Sequence, residues 1–339
     1  MKYLLIFLMI SYSWNAQTTQ LKPLLEDDIS IRAIEIWNGK VFYAGTNSKF
    51  GYVDIENSED KKQIRLAEEK LQFRTLAQDR KYFYTISIEN PAKFYKIRKK
   101  NLKHAKMFQD NSPHAFYDAL KFVEPNIAYT FSDPDDDLSL KIMFLNSGNN
   151  KNWQRIEYLK SVLLKKGEAA FAASNSNIAA SENFVWIATG GTASRIIRLN
   201  QNEKIAEVFD TPFVQGESSQ GMYSIDFYDD EFGIAVGGDY TKQSENSNNI
   251  ATTKDGGETW QIKASGANAG YSTCVKIRPG SKGKDILVVG DQHISYSEDF
   301  GRTWKILSAE KGFYVAEWFN KNTVILAGKN RITMMKLVF

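Results

Sequence analysis

Thr253-Lys254-Asp255-Gly256-Gly257-Glu258-Thr259-Trp260 carries the chemistry of a tight turn. The Thr253 hydroxyl and the Asp255 carboxylate are placed to accept backbone N–H groups, as short polar side chains do in turns. Gly257 supplies a backbone position with positive φ, and Trp260 opens the next strand with a large apolar ring to bury. The arrangement returns as Ser297-Glu298-Asp299-Phe300-Gly301-Arg302-Thr303-Trp304, with Asp299 44 residues after Asp255. A turn recurring at that interval marks a repeated supersecondary unit.

The sequence before each turn repeats as well. Tyr223 to Phe227 followed by Gly233 to Gly237 is answered by Thr273 to Ile277 followed by Ile286 to Gly290. These segments alternate at period two, as half-buried strands do. Weaker copies run Ile31–Ile34 then Val41–Gly45, Phe73–Leu76 then Tyr82–Thr85, and Tyr117–Leu120 then Ala128–Phe131. Two more run Asn177–Ala180 then Val185–Ala188, and Tyr314–Trp318 then Val324–Gly328, which makes seven units. The turn is the Asp box, and the reading is an all-β, seven-bladed β-propeller with Asp-box hairpins. Its structural residues are Thr253, Asp255, Gly257 and Trp260, with Ser297, Asp299, Gly301 and Trp304. Degenerate boxes are expected at Asn146–Trp153 and Asn200–Lys204. Residues 17–30 are expected to supply the outer strand of the last blade and close the ring.

The chain opens Met1-Lys2-Tyr3, runs apolar from Leu4 to Ile10 and turns small and polar through Ser11, Ser13 and Ala16. That is the pattern of a secretory signal peptide over residues 1–16, cleaved after Ala16 or after Ser13, and the run is too short to span a bilayer. The expectation is an exported, periplasmic or secreted monomer with one domain over 17–339. Loss of Lys2 takes the formal net charge from +3 to about +2. A chain so nearly neutral gives no electrostatic case for nucleic acid or an acidic membrane as partner. The single cysteine, Cys274, excludes an intramolecular disulfide, so the fold must rest on its core.

Four further stretches carry a likeness: Phe131-Ser132-Asp133-Pro134, Gly167-Glu168-Ala169-Ala170-Phe171-Ala172-Ala173-Ser174, Ala188 to Arg195, and Val236-Gly237-Gly238-Asp239-Tyr240. On these residues, and across nearly the whole mature chain, the sequence resembles the bacterial propellers related to photosystem II assembly and stability factors. The resemblance implies a scaffold that engages a protein or assembly partner. Bacterial members of that group are often labelled oxidoreductases, but no residue pattern here carries redox chemistry. A more distant similarity is to sialidase-type propellers.

In a propeller the box turns lie on one face, while the loops between second and third strands, and between blades, form the other. Ligands meet that second face near the channel. The candidate mouth residues are Arg32, Arg74, Asp118, Asp133, Glu168, Arg195, Tyr223, Asp239, Tyr240 and Asp291. Arg32, Arg74 and Arg195 converging on the channel would clamp a carboxylate, whereas the plainer role for each is to pair with a neighbouring blade's acid. The binding reading takes a protein or glycan ligand at this mouth, with no cofactor. The alternative is a glycoside hydrolase using Asp118, Asp133, Glu168, Asp239 or Asp291, which needs two carboxylates at catalytic separation. Asp residues after strand-end glycines more often cap loops.

Other motifs give less. Asp133-Pro134-Asp135-Asp136-Asp137 is dense enough in oxygen ligands for Ca²⁺ but lacks the spacing of a calcium loop, which favours a solvated hairpin tip. His104, His114 and His293 have no zinc spacing. The Gly190-Gly191 and Gly237-Gly238 pairs lack the strand-to-helix context of a dinucleotide fingerprint. Trp37, Trp186, Trp260, Trp304 and Trp318 read as core between blades.

Overall fold

The computed structural model describes residues 19–149 and 152–338. The expected signal peptide and its cleavage sites lie outside the described residues, as do two positions inside the Asn146–Trp153 turn. The chain is an all-β β-propeller, and among the described residues its strands form six sheets, four of four strands and two of six. Connections within a sheet are antiparallel hairpins, which is what short, alternating apolar strands separated by turn residues produce.

Four sheets are built of four strands each in chain order, the third passing over Gly190–Gly191. They are Ala77–Gln78 to His104–Asp110, Tyr117–Glu124 to Gln154–Arg155, Ile178–Ala180 to Ile205–Asp210, and Cys274–Ile277 to Lys305–Ser308. A fifth, Gln220–Phe227 to Gln261–Ile262, is widened by the two short strands Gly190–Gly191 and Glu168–Ala169. Side chains are excluded where these cross: a Cβ on Gly190 would lie 2.9 Å from the Gln220 carbonyl oxygen, and one on Gly221, at φ +138°, 2.4 Å from the Gly190 Cα.

The sixth sheet joins the two ends of the chain. Thr19–Trp37 pairs through Thr19 to Ser30 with the far half of Thr323–Leu337, matching Leu21 with Met335 and Glu26 with Arg331. Through Ile31 to Trp37 the same strand pairs with Lys40–Gly45. The N-terminal segment thus adds to the last strands, as its sequence position suggests. Leu24, Leu25, Ile31, Val289, Leu326 and Met335 belong to one buried cluster that spans this junction.

Both quoted turns close with the same bonds. The Thr253 and Ser297 hydroxyls accept from the amides of Gly257 and Gly301, each at 2.9 Å. The Asp255 and Asp299 carboxylates accept from the amides of Thr259 and Thr303, each at 2.9 Å. The indole N–H groups of Trp260 and Trp304 return to the carbonyls of Gly257 and Gly301 at 3.0 Å. Gly257 and Gly301 sit at φ +88° and +78°, where a Cβ is disfavoured. The first turn also anchors its neighbour: Trp186 of the preceding sheet, fully buried, donates Nε1 to the Gly256 carbonyl at 2.8 Å and stacks on Phe227 at 3.7 Å.

One expected strand is displaced. Phe73 to Leu76 makes a single bridge, Phe73 to Ser87, and the ladder begins at Ala77–Gln78. Threonine side chains take over the backbone groups there, with Thr75 Oγ1 accepting from the Ile86 amide at 2.9 Å and Thr85 Oγ1 donating to the Thr75 carbonyl at 2.6 Å. Such local side-chain bonds compete with regular pairing.

Candidate functional site

The channel is crossed by its own chain. Residues 170–176 leave the Glu168–Ala169 strand and enter the axis before Ile178–Ala180 begins. Ser174 Oγ donates to the Thr273 carbonyl at 2.5 Å, and Asn175 Nδ2 to the carbonyls of Leu76 and Leu120 at 2.7 and 3.3 Å. Asn175 Oδ1 accepts from the Leu120 amide at 2.8 Å. This segment therefore ties three different sheets together and forms a plug. Three of its residues are alanine, which lets backbone pass where larger side chains would collide.

Above the plug is a cavity of about 440 Å³, floored by Ala170 to Ala173 and walled by Tyr223, Tyr240, Tyr271 and Tyr314, with Arg32, Arg74, Gln243 and Asp291. Arg32 Nη1 donates to the Ala173 carbonyl at 3.0 Å, and its guanidinium lies 4.2 Å from the centre of the Tyr314 ring. Arg74 is different: among the described residues its guanidinium has no ion pair and no hydrogen bond. Burial and the nearby Arg32 charge bring its pKa down to about 10, against the pull of Asp118 and Glu89. Gln243 Oε1 is buried without a hydrogen-bond partner. Phe171 of the plug stacks on Tyr223 at 3.9 Å, and Tyr223 donates its hydroxyl to the Ser219 carbonyl at 2.7 Å. Tyr240, 51% exposed, stands at the rim.

The remaining sequence candidates do not gather here. Glu168 has a fully buried side chain, held by Arg195 through Nε at 3.0 Å and Nη2 at 2.7 Å and by the Thr189 hydroxyl at 2.7 Å. Arg195 also donates to the Leu163 carbonyl at 3.0 Å. Both are thereby removed from the expected three-arginine clamp, because each saturates the other in the widened sheet. Asp239 caps its own loop, accepting from the Thr241 amide at 2.9 Å and hydroxyl at 2.6 Å.

Asp118 and Asp133 sit beside the plug, next to the Ala172 and Ala170 amides, and do not line the cavity. Neither Asp118 oxygen accepts a hydrogen bond, and Asp133 Oδ1 has none. Burial, then the Asp133 charge, raises the Asp118 pKa well above the carboxylate range, with the Arg74 charge opposing. Burial pushes Asp133 up to about 7, against the Ala170 amide and His114. Asp291 is the one carboxylate lining the cavity among the described residues. A hydrolase needs two. In the acidic run, Asp135 pairs with Lys141 and Arg155 and Asp136 with His114, while Asp137 accepts from Ser139.

Sequence reasoning missed Phe171, Gln243, Tyr271 and Tyr314, and with them the plug. The small-residue run Gly167 to Ser174 was the available signal, since no strand pattern accounts for it.

No protein-family profile matches the chain, and no curated protein matches it. Solved structures do. A structure described as "YCF48 bound to D1 peptide" superposes with a TM-score of 0.67 at 12% identity, covering 96% of this chain and 98% of that one. The streptogramin B lyase structure gives 0.70 at 14% identity, over 97% and 100%. The WD40 repeats of RRP9 give 0.67 at 13% identity, over 94% and 97%. At such identities the likeness is one of fold: a β-propeller of this chain's size and strand arrangement.

Proposed function

We propose that the protein is an exported, monomeric scaffold that binds an extended segment of a partner protein at the mouth above the plug. The observation that carries this is Arg74, a guanidinium in a tyrosine-walled cavity with no ion pair or hydrogen bond among the described residues. A planar fork of donors matches a carboxylate. The free Gln243 oxygen is an acceptor for a peptide N–H, and the tyrosines offer amphipathic contact area. The closed floor limits the ligand to the rim, which suits a strand-like segment better than a deeply inserted sugar. The peptide in the YCF48 structure makes a polypeptide ligand a fitting choice for a propeller of this form.

The ring is read here as seven blades with Asp-box hairpins at Thr253–Trp260 and Ser297–Trp304. Support comes from the sheet containing the termini: its long strand Thr19–Trp37 serves the last blade with its first half and the first blade with its second. Export rests on the residue pattern of positions 1–16.

The test is an array of acidic peptides, each with a free or an amidated C-terminus, measured against wild type and Arg74→Ala. Binding that needs the free carboxylate and weakens about tenfold or more in the variant is the expected result. Indifference of every bound peptide to Arg74 would overturn the reading.

A further inference from the structure

At the other end of the same inner strand lies a second cavity, of about 770 Å³. Trp37 on its wall is five residues past Arg32, roughly 16 Å along the strand, so this cavity opens on the box-turn face. Its walls come from the turns of two neighbouring sheets. Arg80 and Lys81 lie between the strands Ala77–Gln78 and Tyr82–Ile86, and Arg98, Lys99 and Lys100 lie where Ala92–Arg98 turns toward His104–Asp110. That second turn occupies the place in its sheet that Thr253–Trp260 occupies in its own, with lysines in place of a box carboxylate. Lys40 and Lys62 complete the cationic lining, and no carboxylate is part of it.

The seven cations differ in what they do. Lys40 is neutralised by Asp54, at 3.2 Å, and by Asp60. Lys99 is buried and donates to Gln78 Oε1 at 2.5 Å. Lys62, Arg80, Lys81 and Lys100 are exposed and, among the described residues, have no ion pair. The aromatic faces are taken: Lys40 lies 4.7 Å from the Tyr52 ring centre, Lys96 4.6 Å from that of Tyr82, and Lys99 5.0 Å from that of Trp37. A ligand therefore finds charge rather than open rings to stack on, and a concave site of a size typical for small molecules.

We propose that this groove binds a small, multiply charged oligoanion bearing phosphate or sulfate groups. Several anionic centres on one ligand satisfy the four free cations together, with Arg80 and Arg98 offering bidentate forks. The site is independent of the mouth, so its ligand and the partner segment occupy the protein at once.

The probe is sodium tripolyphosphate, titrated calorimetrically against wild type, against the triple variant Arg80→Glu, Lys81→Glu and Lys100→Glu, and against Arg74→Ala. All three substituted groove residues are exposed, and circular dichroism with thermal melting checks that the variant folds. Saturable binding that falls at least about tenfold in the triple variant, persists in Arg74→Ala, and weakens with added salt is expected. Vesicles of phosphatidylglycerol separate the two sources of phosphate: capture released by tripolyphosphate places lipid headgroups in the same site, whereas capture without any tripolyphosphate binding overturns the proposal. Equal affinity for an oligoglutamate of matched charge, or no change in the triple variant, also overturns it.

Discussion

The guanidinium of Arg32 stacks on Tyr314 at 4.2 Å and donates to the Ala173 carbonyl at 3.0 Å. A residue near the start of the chain, one near its end and the plug from its middle thus meet at one point of the channel mouth. Arg32 is accordingly a tether as well as a mouth residue, while Arg74 is free of that duty. Arg32→Ala is expected to speed amide hydrogen exchange at Ala172 to Ser174 and to cost about 1–2 kcal/mol, the sum of a cation–π contact and one hydrogen bond. Arg74→Ala is expected to leave that exchange unchanged. Equal exchange in both variants would remove the distinction.

Glu168→Gln leaves Arg195, whose side chain is 11% exposed, without its counter-charge. Breaking a buried pair in this way costs about 3–5 kcal/mol, to be read from urea unfolding. Arg195→Met combined with Glu168→Leu should recover much of the loss, since neither charge is then stranded.

The box carboxylates matter to the fold and not to the mouth. Asp255→Ala and Asp299→Ala should each lower stability by about 1–2 kcal/mol through lost turn hydrogen bonds and leave peptide affinity unaltered. Burial raises the pKa of both, but bonds from Thr259 and Thr253, and from Thr303, Ser297 and the Arg302 amide, bring each below the usual value. Their contribution is therefore present above the unfolded-state pKa of about 3.9 and is lost as pH falls through the lower folded value.

Buried carboxylates beside the plug and in the channel act in the opposite sense. Glu35 is pushed up to about 7, first by burial and then by Glu317, against Gln78, Lys276 and Lys121. Asp133 is also raised to about 7. The folded state holds these protons where the unfolded chain has released them, so stability should decline as pH rises from about 4 to about 7. Glu35→Gln should flatten that decline by up to about 3 kcal/mol; an unchanged profile of unfolding free energy against pH would refute the assignment.

What could be read from the sequence was periodic. The repeated turns set a ruler, and strands such as Ile286–Gly290 and Val324–Gly328 fell where the ruler put them because each is a short apolar run, buried on both faces, that ends in glycine. The site was less legible for reasons that also concern particular residues. Arg195 and Glu168 carry the same signals as Arg32 and Asp291, and only three-dimensional pairing separates them. Gly167 to Ser176 has no period at all, so its passage through the axis leaves no mark beyond small side chains. The basic groove was hidden by whole-chain neutrality: Arg80, Lys81, Lys99 and Lys100 are balanced by acids elsewhere, and net charge does not report a local excess.

The strand Thr19–Trp37 has a consequence for synthesis. Its partner on one side, Thr323–Leu337, is the last strand in chain order among the described residues. Until it is made, Thr19–Ser30 carries an unpaired edge, the kind of edge that recruits other chains, and the strand pairing of greatest sequence separation among the described residues is the last to form. Closure of the ring thus waits on one strand: a chain halted before Thr323 lacks the partner of both Phe313–Asn320 and Thr19–Ser30, and its ring stays open.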